Sequence, residues 1–233
     1  MGAYDLTNRV NRITRYMRMN EGNTDYATLP AIDLQGDWEI GFKLITSTSS
    51  GGTAVCVNIN TADASEYISL SVAFGKMKVV SAGLTPGQST ASVNDNVLHD
   101  IKVTLVGSLF SVFIDGALDY TTTHVAPSKL GRTYGVNVYA QSTTTAGAKT
   151  DLLDGVISDL YFNDAGTLER TYPINESSGT TLVDEVSGQN GTIVSGSDDD
   201  RGLFQEVARG GNWQGSGLTV PPWASASQIL PVA

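Results

Sequence analysis

The sequence predicts an all-β chain, a sandwich or a barrel, and three observations carry that prediction. Apolar residues recur at every second place in short runs, as strands with one buried face require. Two-residue turn signals rich in glycine separate the runs. No segment carries a helical period through three turns. The one helix candidate is Leu6, Val10, Ile13 and Met17, spaced for one helix face with arginines between them.

The strands follow in order. Trp38, Ile40, Phe42 and Leu44 alternate with polar residues or glycine, and Ile68, Leu70, Val72 and Phe74 repeat the pattern with these four inward. Ile101, Val103 and Leu105 come next, then Phe110, Val112 and Ile114, then Tyr134, Val136 and Val138. Trp38, Ile40, Phe42, Ile101, Val103, Val112 and Ile114 are the predicted core. Gly75-Lys76 and Gly107-Ser108 put glycine first in a two-residue loop, the preference of a type II′ turn. Asp115-Gly116 suits type I′, where both central residues take positive φ. Ser47–Gly52 and Gln141–Ala148 have little to bury and read as connections. After about Gly202 the alternation stops. Glycines at 210, 211 and 215 and prolines at 221 and 222 exclude a central strand there. The expected organisation is an Arg-rich arm over 1–12, a β-sandwich over 13–202 and an extended tail over 203–233.

Composition narrows the function. At 233 residues the chain buries enough surface to need no staple. Cys56 is the only cysteine, so an internal disulfide is excluded, and its apolar neighbours make it a small strand residue. Fourteen basic residues against 24 acidic ones leave a formal charge of −10, which argues against nucleic acid as a partner. No apolar run is long enough to span a membrane, and the first 20 residues lack the apolar block of a secretory signal.

Specific residues then become familiar. Asp25-Tyr26-Ala27-Thr28-Leu29 followed by Gly36-Asp37-Trp38-Glu39-Ile40 resembles the opening strands of laminin G-like domains of the concanavalin A-like lectin/glucanase superfamily. Leu98-His99-Asp100-Ile101-Lys102-Val103-Thr104 with Phe113-Ile114-Asp115-Gly116 resembles the central hairpin of that family. Leu153-Asp154-Gly155-Val156-Ile157-Ser158-Asp159-Leu160-Tyr161-Phe162 is similar to its closing strand. The resemblance implies a jelly-roll sandwich of two antiparallel sheets. Each of these blocks is scaffold, and a shared fold does not transfer function. Farther on, Tyr172-Pro173-Ile174-Asn175-Glu176, Val183-Asp184 and Gly188-Gln189-Asn190-Gly191 resemble a segment appended to such domains in virion proteins of tailed bacteriophages, which also occurs in bacterial surface proteins.

The catalytic patterns of the superfamily are missing. No strand carries E-x-D-x-x-E, which aims carboxylates into one cleft for glycoside hydrolysis, and the Q-x-H motif of its lyases is absent. His99 falls on the scaffold hairpin, and His124 lies in a loop with no nucleophile pattern. The expectation is a protein that is not an enzyme and has no cofactor. Calcium is the one metal to weigh, since relatives hold it at a rim with oxygen ligands; Asp164, Asp198 and Asp200 are its candidate ligands, against the reading of a turn and a solvated acidic loop. Tyr120, Tyr139 and Gln141 are candidate glycan contacts, because sugar recognition wants an exposed aromatic beside planar polar groups. Arg9, Arg12, Arg15 and Arg18, with Trp213 and Trp223 in the tail, are candidate anchors to a partner. The tail either docks on a neighbour or folds back on its own domain. The leading expectation is a non-enzymatic virion structural protein, a capsid decoration or a tail or fibre component, attached to other virion proteins or to copies of itself. A carbohydrate-binding module or receptor-binding protein engaging cell-surface glycan is the alternative, and a glycan hydrolase or lyase with an unrecognised site is the third.

Overall fold

Alternation within each run dictates two sheets packed face to face. The computed structural model describes residues 12–19, 26–34, 37–47, 53–60, 67–81, 87–123, 133–138, 153, 155–174, 179–194, 200–207 and 210–214. For the strands over 12–19, 200–207 and 210–214, and at 53, 60 and 133–135, the backbone alone is described. Every strand pairing is antiparallel, and no helix occurs among the described residues.

The first sheet has nine strands. Its order is β10 (Ala117–Thr123), β9 (Leu109–Ile114), β8 (His99–Val106), β3 (Trp38–Thr46), β12 (Gly155–Asp164), β1 (Arg12–Met19), β16 (Asp200–Val207) and β17 (Gly210–Gln214), with β13 (Thr167–Tyr172) also pairing β12. The second has eight, in the order β14 (Thr181–Leu182), β15 (Gly191–Val194), β2 (Tyr26–Asp33), β11 (Thr133–Val138), β4 (Thr53–Asn60), β5 (Tyr67–Ala73), β6 (Lys76–Ser81) and β7 (Gly87–Ser92).

Between the sheets lies one apolar core. All seven predicted core residues are in it, with Trp38 edge-on to Phe110 at 5.6 Å. Cys56 is fully buried, and desolvation pushes its thiol pKa well up. Side-chain bonds to backbone close both flanks of the sandwich. On one flank Asp119 accepts from the amides of Thr90 and Ala91, and the Tyr120 hydroxyl accepts from Val79 N–H at 3.0 Å. On the other, Arg170 donates to the carbonyls of Pro30 and Ala31 at 2.6 and 2.5 Å.

Three sequence expectations change. The turn between β5 and β6 is Phe74-Gly75, not Gly75-Lys76: φ is +53° at Phe74 and +76° at Gly75, a type I′ geometry. Phe74 is therefore 67% exposed and not inward. Contacts at Gly75 select this register: its carbonyl accepts from Val93 N–H at 2.8 Å, and a Cβ there would meet the Asn94 amide at 2.5 Å. The other two turns form as expected, with φ +60° at Gly107, and +53° and +79° at Asp115 and Gly116. Second, residues 12–19 of the helix candidate are strand, consistent with Ile13, Thr14 and Tyr16, which favour extended backbone; Leu6 and Val10 lie outside the described residues.

The third change concerns the tail. Strand β16 crosses the expected boundary at 202 and pairs with β1 over seven positions, and β17 pairs back onto β16 as the edge strand. Residues 203–207 and 210–214 therefore belong to a sheet of their own chain. Proline does not interfere, because the prolines fall after β17.

Candidate functional site

The outward face of the first sheet carries a connected array of polar and charged side chains. Alternation makes it so: on β3, Trp38, Ile40, Phe42 and Leu44 face the core, which turns Glu39, Gly41 and Lys43 outward. Register then assembles the rows. Phe113, Lys102, Gly41 and Tyr161 stand side by side across β9, β8, β3 and β12. One row away lie Ser111, Thr104, Glu39 and Asn163, and on the other side Asp100 and Lys43.

Gly41 shapes this face. A Cβ built on it would fall 2.3–2.5 Å from Cε1, Cζ and the hydroxyl of Tyr161, so the phenol ring lies across the position a side chain would occupy. The ring is half-buried and pinned at its tip, where the hydroxyl donates to Glu39 Oε1 at 2.7 Å. Burial first, then the bond to Glu39 and the nearby negative charges, raise the Tyr161 pKa, so it stays a neutral donor. Beside it Lys102 Nζ sits 4.6 Å from the Phe113 ring centroid and 3.7 Å from Glu39 Oε2. Lys43 Nζ pairs with Asp159 Oδ2 at 2.8 Å. A bulge makes that pair: the register slips between Ser158 and Tyr161, with Asp159 at φ +50°. Asp100 has its carboxyl pKa raised, by desolvation above all, against the lowering effect of Lys43.

Chemically this is an aromatic plate with planar carboxylates and ammonium groups around it, the equipment for gripping hydroxyl pairs on a sugar ring. Glu39 lies four residues along β3 from Lys43, which is in register with Asp100. The backbone positions of Glu39 and Asp100 are therefore about 13 Å apart along the strand, while Asp159 stands at the Lys43 end.

The predicted site residues are scattered. Tyr120 belongs to the seam: its ring packs on the core, and burial pushes its pKa up to about 12. That removes it from an exposed platform. Tyr139, Gln141, His124, Asp198, Arg9 and Trp223 lie outside the described residues. Asp164 ends β12, while Asp200 stands opposite Arg18, itself opposite Val156 at the other end of β12. Eight residues of strand, about 27 Å, separate the two ends, so Asp164 and Asp200 do not join around one calcium ion. Among the described residues no three His, Cys, Asp or Glu side chains are arranged to hold a metal ion. Arg12 and Arg18 stand in register with Glu206 and Asp200, and Trp213 with Phe204, which gives these anchor candidates positions within their own sheet. Arg15 lies opposite Leu203. His99 has both ring nitrogens 3.0 Å from carboxylates, Asp95 and Asp115, and ties a loop to the 115–116 turn.

Two groups escaped the sequence reading. Tyr161 and Gly41 were read only as strand residues, and one signal was available: a glycine among outward positions of a strand marks a close approach. Asn137 lies fully buried on β11 beside Asn58 of β4, with neither amide atom bonded. It is sealed from a polymeric ligand, so the Tyr161 face is the candidate.

The two packed antiparallel sheets have the concanavalin A-like, laminin G-like jelly-roll fold. No family model matches the sequence, and no curated protein matches it. Solved structures do share the fold. A putative carbohydrate binding protein from Bacteroides ovatus aligns at a TM-score of 0.59 and 9% identity, over 85% of this chain and 61% of that one. Domains LG4-5 of the mouse laminin α1 chain align at 0.55 and 14%, over 76% and 48%. A heptameric SAP-like pentraxin from Limulus polyphemus aligns at 0.53 and 10%, over 88% and 98%. This chain thus spans about half to three-fifths of the first two.

Proposed function

We propose that the protein is a non-enzymatic glycan-binding module and that the Tyr161 face of the first sheet is its binding surface. The observation that carries this is the Tyr161 ring laid across Gly41 and flanked by Glu39 and Lys102. An aromatic face stacks on the apolar side of a sugar ring while carboxylate and ammonium groups take its hydroxyls, a few oriented polar groups around an apolar plate. The Bacteroides ovatus neighbour, named as a putative carbohydrate binding protein, supports the reading.

In a virion, such a module would be the displayed part of a capsid decoration or tail component. The resemblance of the Tyr172–Gly191 segment to virion proteins motivates that placement. The β1–β16–β17 ribbon suits attachment, since it joins the rest of its sheet through two register positions on β12 and ends, among the described residues, in an edge strand. A glycan array with the wild-type protein and Tyr161→Ala tests the binding claim. Tyr161-dependent retention of at least one glycan is expected; equal signals from both proteins would refute it.

A further inference from the structure

Resting on that reading, the charges around Tyr161 narrow the ligand class. We infer that this face selects uncharged glycans and disfavours those bearing carboxylate, sulfate or sialyl groups. Both lysines that an anionic sugar would need are already engaged. Lys43 is held by Asp159 at 2.8 Å, and Lys102 is divided between Glu39 at 3.7 Å and the Phe113 ring at 4.6 Å. Among the described side chains of this face, three carboxylates, Glu39, Asp100 and Asp159, stand with these two cations, so this group carries a net negative charge before any ligand arrives. Asp100 stands at its exposed side. An acidic sugar laid along the row would bring a second anion against Asp100, inside a body of formal charge −10. Hydroxyls meet no such opposition. They donate to the carboxylates and to the Tyr161 hydroxyl oxygen, and accept from the two ammonium groups.

The row has the length to read a chain. Phe113 and Tyr161 are three strand spacings apart, about 14 Å, so a short oligosaccharide crossing the strands touches both aromatics.

The test is titration calorimetry with neutral gluco-, galacto- and manno-oligosaccharides and with matched uronate-containing, sialylated and sulfated counterparts. Wild type, Tyr161→Ala and Asp100→Asn are compared. Neutral oligosaccharides should bind with an affinity that stays constant from about 50 to about 500 mM salt, and Tyr161→Ala should weaken it roughly tenfold or more. Matched acidic sugars should bind about two- to fivefold more weakly than neutral ones, a gap that Asp100→Asn narrows. Acidic glycans that bind more tightly than neutral ones, through Tyr161 and with salt sensitivity, would overturn the charge selection and leave the glycan reading standing. No Tyr161-dependent binding of any glycan would overturn both.

Discussion

Replacing Asp184 probes how the last part of the sandwich is held. Its buried carboxylate gathers five donors. Oδ1 accepts from the amides of Thr171 and Val186 at 3.0 and 3.1 Å; Oδ2 accepts from the amides of Ser187 and Gln189, both at 3.1 Å, and from the Ser187 hydroxyl. Thr171 lies on β13, in the first sheet, while Asp184 follows β14, in the second, so this one side chain ties the sheets together. Hydrogen bonds to a charged acceptor contribute about 1.5–3 kcal/mol each. The loop over 185–190 is exposed, so the donors of Val186, Ser187 and Gln189 recover water when the carboxylate goes. The net loss for Asp184→Ala is therefore set by Thr171 and by loop closure, about 2–4 kcal/mol. The pH dependence has a definite sign. Burial alone would raise the Asp184 pKa, but the bonds from Ser187, Thr171, Val186 and Gln189 outweigh it and hold the pKa below the usual carboxylate value. A depressed folded pKa stabilises fully above the unfolded value of about 3.9 and loses that contribution as pH falls through the folded one. Urea denaturation of wild type and Asp184→Asn at about pH 7 and about pH 2 should show a gap that shrinks on acidification. A gap below about 0.5 kcal/mol at neutral pH, or one that widens in acid, would refute the reasoning.

Other perturbations follow from the same packing. Phe42→Ala removes a ring that is 1% exposed and should cost about 3–5 kcal/mol in denaturant titration; a near-neutral result would refute the register of β3. Gly41→Ala places a methyl where the Tyr161 ring lies, and only that ring's far end must move. The unfolding free energy should therefore change by less than about 1 kcal/mol, while glycan affinity drops as in Tyr161→Ala; an unaltered affinity would remove the ring from the site. Deleting 200–233 removes β16 and β17 but no residue of the described core, which runs from Ala27 to Ile193. Circular dichroism should retain its sheet signal and a cooperative transition, and loss of both would make the ribbon part of the fold's nucleus.

Much of the fold was legible because burial writes itself into alternation. Trp38 to Leu44 and Ile101 to Leu105 show it plainly, and the core contains every alternate, apolar residue of both runs. Turns were legible where local chemistry decides, as at Asp115-Gly116 and Gly107-Ser108. They were not at Phe74, where contacts with Val93 and Asn94 override the preference against a bulky residue at positive φ. Strands β16 and β17 were hidden because Gly202, Gly210 and Gly211 blur the pattern, and β16 pairs with β1, about 190 residues earlier, while β17 folds back on β16. The site was the least legible part. Nothing in the local sequence of Gly41 names Tyr161 as the ring above it, because the two are brought together by strand pairing and by a bulge at Asp159. Tyr120 shows the converse: its place after a tight turn suggested exposure, and a long-range bond to Val79 draws it into the seam.

The central claim is that the Tyr161 face holds a sugar chain, and chemical-shift mapping tests it most directly. Amide resonances would be followed while a neutral oligosaccharide chosen from the array is titrated into isotope-labelled protein. The account predicts that the largest shifts fall on Glu39, Gly41, Lys102, Phe113 and Tyr161, across four neighbouring strands of one sheet. Shifts confined to the second sheet or to the loops, with those five amides unmoved, would contradict it.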